Sequence, residues 1–249
     1  MSATKTLAFA LKKQDYRDTS LLATFYTRDH GKVRGIVKGI RESRARFGST
    51  LEPFSLNEIL FYKRKRGGDL HLVTQVDLVD LFLDVREDLE RLSYASYFID
   101  LLNELVEVED PNSALFDLLQ DSLLFLSSGA SCKRTARIFE VKLFELLGLM
   151  PEIKACVVCQ TENPDPAYFS VSLGGVCCKN CSESAGMLLF KGTLNFLEHV
   201  RRAPFKDLHR VKVSQEVGVE LEKMLRRFVD FHLTNKLRSV IFLEKMELV

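Results

Sequence analysis

Apolar residues alternate with small or polar ones in five short runs near the start of the chain. Leu7, Phe9 and Leu11 alternate with Ala8 and Ala10; Leu21, Ala23 and Phe25 with Leu22, Thr24 and Tyr26; Val33, Gly35 and Val37 with Lys32, Arg34, Ile36 and Lys38. Phe54, Leu56 and Leu60 fall in a fourth run, and Leu70, Leu72, Val76 and Leu78 in a fifth. Period-two patterning interrupted by Gly, Asp, Asn and Pro predicts strands. Five short strands within residues 1–80 fit a closed OB-type barrel, which removes the exposed edges of an open sheet.

After Phe82 the period changes. Leu89, Leu92, Ile99, Leu102, Leu105 and Val106 recur at helical spacing, and Asp110-Pro111-Asn112 ends that run. A second helix is predicted over 113–126, stopped by Ser127-Ser128-Gly129. A third is capped by Ser131 and runs to Leu147, with Gly148 and Pro151 behind it. Helical patterning resumes at about 193–202, 214–233 and 236–248. Between these blocks stand Cys156-x-x-Cys159 and Cys178-x-x-Cys181, separated by eighteen residues. Two such pairs have the spacing of a structural zinc site, in which each tight turn aims two thiolates at one ion. Cys177 adjoins Cys178; the two-residue gap to Cys181 selects Cys178. Pro164, Pro166 and Gly174-Gly175 flank a short apolar stretch that reads as a strand. The expected fold class is α+β and multidomain: an N-terminal five-stranded OB-fold β-barrel (1–80), then an α-helical domain (81–249) carrying a small zinc-ribbon-like four-cysteine insertion (153–184).

Composition narrows the setting. The chain is 46% hydrophobic, and no run approaches the eighteen or so apolar residues of a membrane span. The N-terminal apolar stretch is short for a secretory signal. A cytoplasmic location without membrane attachment is expected, with thiols reduced or bound to metal. Net charge is +1, but it is unevenly placed. Residues 1–80 carry 15 Lys+Arg against 9 Asp+Glu, while residues 81–150 carry 6 against 13.

The cations acquire a geometry on the barrel. Lys32, Arg34 and Lys38 share one face of the third strand, opposite Val33 and Val37. Arg41, Arg44 and Arg46 follow in a loop, and Lys63, Arg64, Lys65 and Arg66 form a hairpin tip. From Arg28 to Arg66 there are 11 Lys+Arg and 4 Asp+Glu. Such an array neutralises phosphates and releases counterions, giving strong, salt-sensitive affinity for nucleic acid. Tyr26, Phe47, Phe61 and Tyr62 lie among the cations as candidates for stacking on unpaired bases, although Phe25, Phe54 and Phe61 also read as core. Glu104, Glu107, Glu109 and Asp110 cluster at a helix end, as a solvated face or a docking surface for a basic partner. A helical groove flanked by Arg201, Arg202, Lys206 and Arg210 is a candidate for holding a short acidic peptide.

Catalytic signatures are missing. There is no Gly-x-x-x-x-Gly-Lys-Ser/Thr, no Gly-x-Ser-x-Gly and no His-Glu-x-x-His. His30, His71, His199, His209 and His232 are scattered. Four thiolates close a zinc shell and leave no position for an activated water. The expectation is a protein that is not an enzyme and has no small-molecule substrate. Two other classes stand beside nucleic-acid binding: a zinc-ribbon adaptor that binds protein without direct DNA contact, and a metal hydrolase, which requires an open coordination position.

The order of basic barrel, helices, four-cysteine insertion and helices resembles the bacterial recombination mediator family RecO. Asp15-Tyr16-Arg17-Asp18-Thr19-Ser20 and Phe25-Tyr26-Thr27-Arg28-Asp29-His30-Gly31-Lys32 are similar to the family's opening strands. Lys38-Gly39-Ile40-Arg41, Leu51-Glu52-Pro53-Phe54 and the hairpin around Gly67-Gly68 also resemble it. Phe169-Ser170 with Gly174-Gly175 is similar to its approach to the second cysteine pair. The resemblance implies recombinational DNA repair without catalysis. It implies binding of single- and double-stranded DNA, annealing of complementary strands, and action with RecR on strands coated by single-stranded DNA-binding protein (SSB), so that RecA loads. It implies one structural Zn2+ per chain. The DNA-binding role falls on Arg28, Lys32, Arg34, Lys38, Arg41, Arg44, Arg46, Lys63, Arg64, Lys65 and Arg66.

Overall fold

In a computed structural model of the chain, residues 3–16, 20–38, 51–63, 70–182 and 186–246 are described, with the backbone alone at 209–210. Two compact units emerge, Met1–Ser128 with Leu237–Lys245, and Gly129–Lys236 with Met246–Val249. The sequence boundary at 80/81 marks where strand gives way to helix; the compact units divide later in the chain.

Five strands build the first unit's barrel: β1 (Ala3–Tyr16), β2 (Ser20–Thr27), β3 (Gly31–Val37), β4 (Leu56–Tyr62) and β5 (Leu70–Asp80). Their order is β1-β2-β3-β5-β4, closed by pairing of β4 with β1. Every neighbouring pair is antiparallel except β3 with β5. The interior alternates small and large side chains. Ala8, Ala10 and Ala23 leave room for Phe25 and Phe61, with Val33, Val37, Ile59, Val73 and Val76 around them. Phe9 points the other way, yet it is fully buried. Its ring packs 4.8 Å from Phe116 and 6.3 Å from Phe82, so β1 is covered on both faces. Phe54, placed in the fourth run by its pattern, precedes β4 in left-handed backbone (φ 53) under the guanidinium of Arg86, 4.0 Å from its ring.

The helices of this unit are α1 (Leu83–Arg86), α2 (Leu89–Leu105), α3 (Ser113–Ser127) and α7 (Arg238–Lys245). Asp88 caps α2 by accepting from the Arg91 N–H, and Asn112 caps α3 by accepting from Ala114 and Leu115. These caps satisfy amide donors that the helix itself leaves unpaired. The Ser239 N–H donates to Asp100 Oδ2 at 3.2 Å, tying α7 to α2. Helix α2 stops short of the expected Asp110. Val106 turns extended, and residues 106–110 run onto β3, where Val108 bridges to Lys32 and the Glu109 N–H donates to the Lys32 carbonyl at 2.9 Å. Gly31 makes this approach possible. Its φ is +64°, and a Cβ there would collide with the Asp110 backbone. Replacing the α3 cap, Asn112→Ala, is expected to cost about 1 kcal/mol. The check is a fall of a few degrees in the melting temperature of unit one.

The second unit is built on α4 (Cys132–Leu146), α5 (Lys191–Arg202) and α6 (Gln215–His232), with a 3-10 turn at Phe205–Arg210. Ser131 and Ser214 cap α4 and α6. Phe144 and Phe169 both pack on Phe228, with ring centres 4.8 and 6.1 Å away. Lys142 donates to the carbonyls of Arg201 and Ala203 at 2.8 and 2.7 Å, closing the open C-terminal end of α5. A three-stranded sheet of order β7-β6-β8 carries the cysteine insertion: β6 (Ala167–Ser170), β7 (Gly175–Cys178) and β8 (Met187–Leu189). β8 had no counterpart in the sequence pattern, because three residues are too few to show a period. Among the described residues no helix is long and apolar enough to cross a membrane.

Candidate metal centre and nucleic-acid interface

Each Cys-x-x-Cys folds as a tight turn. The Gln160 N–H returns to the Cys156 carbonyl at 2.9 Å, and the N–H groups of Cys181 and Ser182 return to the Cys178 carbonyl at 3.1 and 2.9 Å. The two turns are drawn together because Val157 donates to the Val176 carbonyl, and Val176 to that of Glu152, both at 2.9 Å. Gly175 sits at the crossing, where a Cβ would strike the Glu152 carbonyl and the Val157 side chain. The four Sγ atoms of Cys156, Cys159, Cys178 and Cys181 then lie within 4.8 Å of one another. Alternation along β7 separates the neighbouring thiols: Cys178 faces the cluster, while Cys177 is buried at 1% exposure and its thiol is pushed up by burial.

The cluster is prepared for a cation. Backbone N–H groups of Cys159 and Cys178 hold the Cys156 thiol down to about 6. Hydrogen bonds to Cys159 and Cys178 push Cys181 up to about 12. Cys156 thus forms a thiolate readily, while Cys181 keeps its proton through hydrogen bonds to its neighbours' sulfurs. A metal ion relieves that charge and takes all four sulfurs as ligands, so this donor set is a possible metal site.

On the barrel the predicted cations divide into groups. Arg34 and Lys38 are exposed on or beside β3, and Lys63 follows β4 half-exposed. Arg34 pairs with Leu70 and Tyr62 with Leu72, so Arg34 and Lys63 flank the start of β5 from either side. Lys32 lies on the outer face as expected, but that end of the face is covered. The side chain is 9% exposed, its ammonium donates to the Asn103 carbonyl at 2.8 Å, and burial lowers its pKa. Arg28 is half-exposed, paired with Asp117 at 3.0 Å and set over the Phe116 ring. Arg41, Arg44, Arg46, Arg64, Lys65 and Arg66 lie outside the described residues, as does Phe47. Of the stacking candidates, Tyr26 is fully buried, with its hydroxyl donating to the Asn112 carbonyl at 3.0 Å and its pKa raised by burial. Phe61 is core, packed between His30 and His71. Tyr62 is left partly exposed.

One cation escaped the sequence reading. Lys12 pairs with Thr24, and Thr24 with Arg34, so the three form a row across β1, β2 and β3. With Gln14, Lys32 and Asn103 they border a depression of about 240 Å³. The signal was the Ala10/Lys12 register shift, which turns Lys12 to the outer face and cannot be read from alternation alone. In the second unit, Arg201 is engaged by Glu145 at 2.6 Å and by Glu198 at 3.4 Å, and Arg202 by Glu198 at 2.5 Å. Lys206 is exposed, and the Arg210 side chain lies outside the described residues. A cavity of about 290 Å³ opens between α5 and the insertion, with Lys154, Lys191 and Arg202 on its wall together with Asp165 and Glu198.

Comparison with known proteins adds a second line. Residues 1–82 match the family description Recombination protein O N terminal, and residues 86–240 match Recombination protein O C terminal. A DNA repair protein RecO from Syntrophus aciditrophicus (strain SB) is 32% identical, covering 98% of this chain and 96% of the relative. Another of that name from Pelotomaculum thermopropionicum is also 32% identical, over 98% and 95%. One from Caldanaerobacter subterraneus subsp. tengcongensis is 30% identical, over 97% and 98%.

Proposed function

Since the chain belongs to the Recombination protein O family of DNA repair proteins, we propose that its barrel is a DNA platform that works without covalent chemistry. The observation that carries this reading is the row Lys12–Thr24–Arg34 on the outer face of the sheet, flanked by Lys38 and Lys63. Two connections rich in cations, 39–50 and 64–69, add Arg41, Arg44, Arg46, Arg64, Lys65 and Arg66 by sequence. Fixed cations on a sheet hold the phosphate backbone and leave base edges free. Contacts to phosphate are indifferent to sequence and to strandedness, so single- and double-stranded DNA both bind. Two strands bound side by side no longer repel each other, and complementary strands anneal faster. No nucleotide hydrolysis enters the cycle. Action with RecR on SSB-coated strands, leading to RecA loading, is the partner set this reading carries.

The metal is proposed to be Zn2+, one per chain, held by Cys156, Cys159, Cys178 and Cys181. Bound there it supplies structural cross-linking, since four thiolates complete a tetrahedral shell. The chain's own contribution is to fix both turns through Val157, Val176 and Gly175.

The direct test is strand annealing. Two complementary oligonucleotides, one carrying a fluorophore and the other a quencher, are mixed with the protein in the absence of nucleotide. Pairing is expected to outpace the spontaneous rate, and Lys12→Glu with Arg34→Glu is expected to abolish the gain. Unaccelerated pairing, or a double variant as active as the parent, overturns the reading and leaves the zinc-ribbon protein adaptor.

A further inference from the structure

The barrel's cationic edge is met by carboxylates from its own chain. Helix α2 ends at Leu105, and residues 106–110 then follow β3 as a strap. Its backbone is fixed by the Glu109 N–H on the Lys32 carbonyl at 2.9 Å and by the seat that Gly31 provides for Asp110. Its side chains reach solvent: Glu107, Glu109 and Asp110 are all exposed. The Glu109 carboxylate lies 3.8 Å from the Lys63 ammonium and 3.0 Å from His71 Nε2, between the end of β4 and the start of β5. One element later, Asp117 on α3 holds Arg28 at 3.0 Å. Of the acidic cluster at the end of α2, Glu109 is therefore set against a cation assigned to DNA, while Glu107 and Asp110 face solvent beside it.

We propose that this strap, with Asp117, is a built-in competitor for nucleic-acid phosphate, occupying Lys63 and Arg28 and holding the barrel in a state of lower affinity. The proposal rests on the barrel being the DNA platform. The physical reason is a balance of local concentrations. A carboxylate tethered beside its cation is always present, yet an ion pair with both partners half-exposed is weak. A polyphosphate that reaches several cations at once displaces the carboxylates together, whereas a short or partial contact does not. Because the strap's main chain is anchored, the exchange needs only side-chain motion. The consequence is discrimination in favour of extended strands, and a carboxylate ready to take back each cation when a strand departs. A strand-annealing protein benefits from this, since the paired product must leave.

The experiment measures binding of a fluorescent single-stranded oligonucleotide across a salt series for four forms of the full chain. They are the parent, a strap variant (Glu107→Gln, Glu109→Gln, Asp110→Asn), the single variant Asp117→Asn, and a control in which Glu87→Gln and Glu90→Gln remove charge from a region away from these pairs. Glutamine at 109 keeps an acceptor for His71. Asp117→Asn releases Arg28 alone, without touching the strap. The strap variant, which releases Lys63, is expected to bind about two- to fivefold more tightly, with a steeper salt slope. Asp117→Asn is expected to gain by one such step and the control by none. Equal gains in strap variant and control would show only a general field effect and overturn the proposal, as would unchanged or weaker binding by the strap variant and Asp117→Asn. If neither parent nor strap variant binds at low salt, the platform itself is wrong and the competitor falls with it.

Discussion

Cys178→Ser is expected to abolish stoichiometric metal binding, while Cys177→Ser leaves it intact. The distinction follows from β7, where the two neighbours face opposite ways and Cys178 alone joins the cluster of four sulfurs. Apparent binding free energies at structural zinc sites in small peptides are about 10–16 kcal/mol, because the ion replaces the core that such a short segment lacks. The insertion here has the same need. Its sheet has strands of four, four and three residues, and both turns that carry ligands converge on one point. Loss of one thiolate thus removes the anchor for 153–182, and with it the packing of Phe169 on Phe228. Metal analysis by mass spectrometry should give one zinc for the parent and for Cys177→Ser. Thermal unfolding of Cys178→Ser should show an early transition from the second unit, with the barrel's transition retained. Stoichiometric zinc in Cys178→Ser, or a metal-free protein that melts like the parent, would refute the assignment.

Reversing Lys63, Arg64, Lys65 and Arg66 to Glu is expected to lower affinity for single-stranded DNA by at least about a hundredfold at moderate salt. Each phosphate contact contributes about 0.7 to the slope of log affinity against log salt for single strands. Four cations lost should flatten that slope by roughly 3. All four are charged residues in the connection between β4 and β5, so the melting temperature should stay near the parent's. A fall in affinity with an unchanged slope would point to misfolding rather than lost phosphate contacts. Unchanged affinity would mean that the hairpin is a solvated turn and that DNA is held elsewhere.

What was legible in the sequence is what local chemistry dictates. Strand alternation gave five strands because each has one face in the barrel interior, as Val33 and Val37 show against Arg34. Ser131 and the Cys-x-x-Cys pairs announced a helix start and a four-sulfur cluster because cap and metal spacing are set within a few residues. What was not legible depends on distant parts of the chain. Lys32 follows the outward alternation, yet Asn103 and Val108 cover it, and only the fold brings them there. Tyr26 looked like a stacking candidate until its hydroxyl met the Asn112 carbonyl across 86 positions of sequence. Helix α2 ended before its apolar period did, because the Gly31 seat makes an extended strap at 106–110 available. Lys12 was hidden by a register shift, which alternation cannot show.

The measurement that bears most directly on the account is the affinity of the parent protein for a fluorescent single-stranded oligonucleotide over a salt series. Tight binding at low salt, with log affinity falling steeply as log salt rises, is the predicted result and means that several phosphates are neutralised together. Absence of binding at low salt, or binding that ignores salt, would contradict the barrel as a DNA platform.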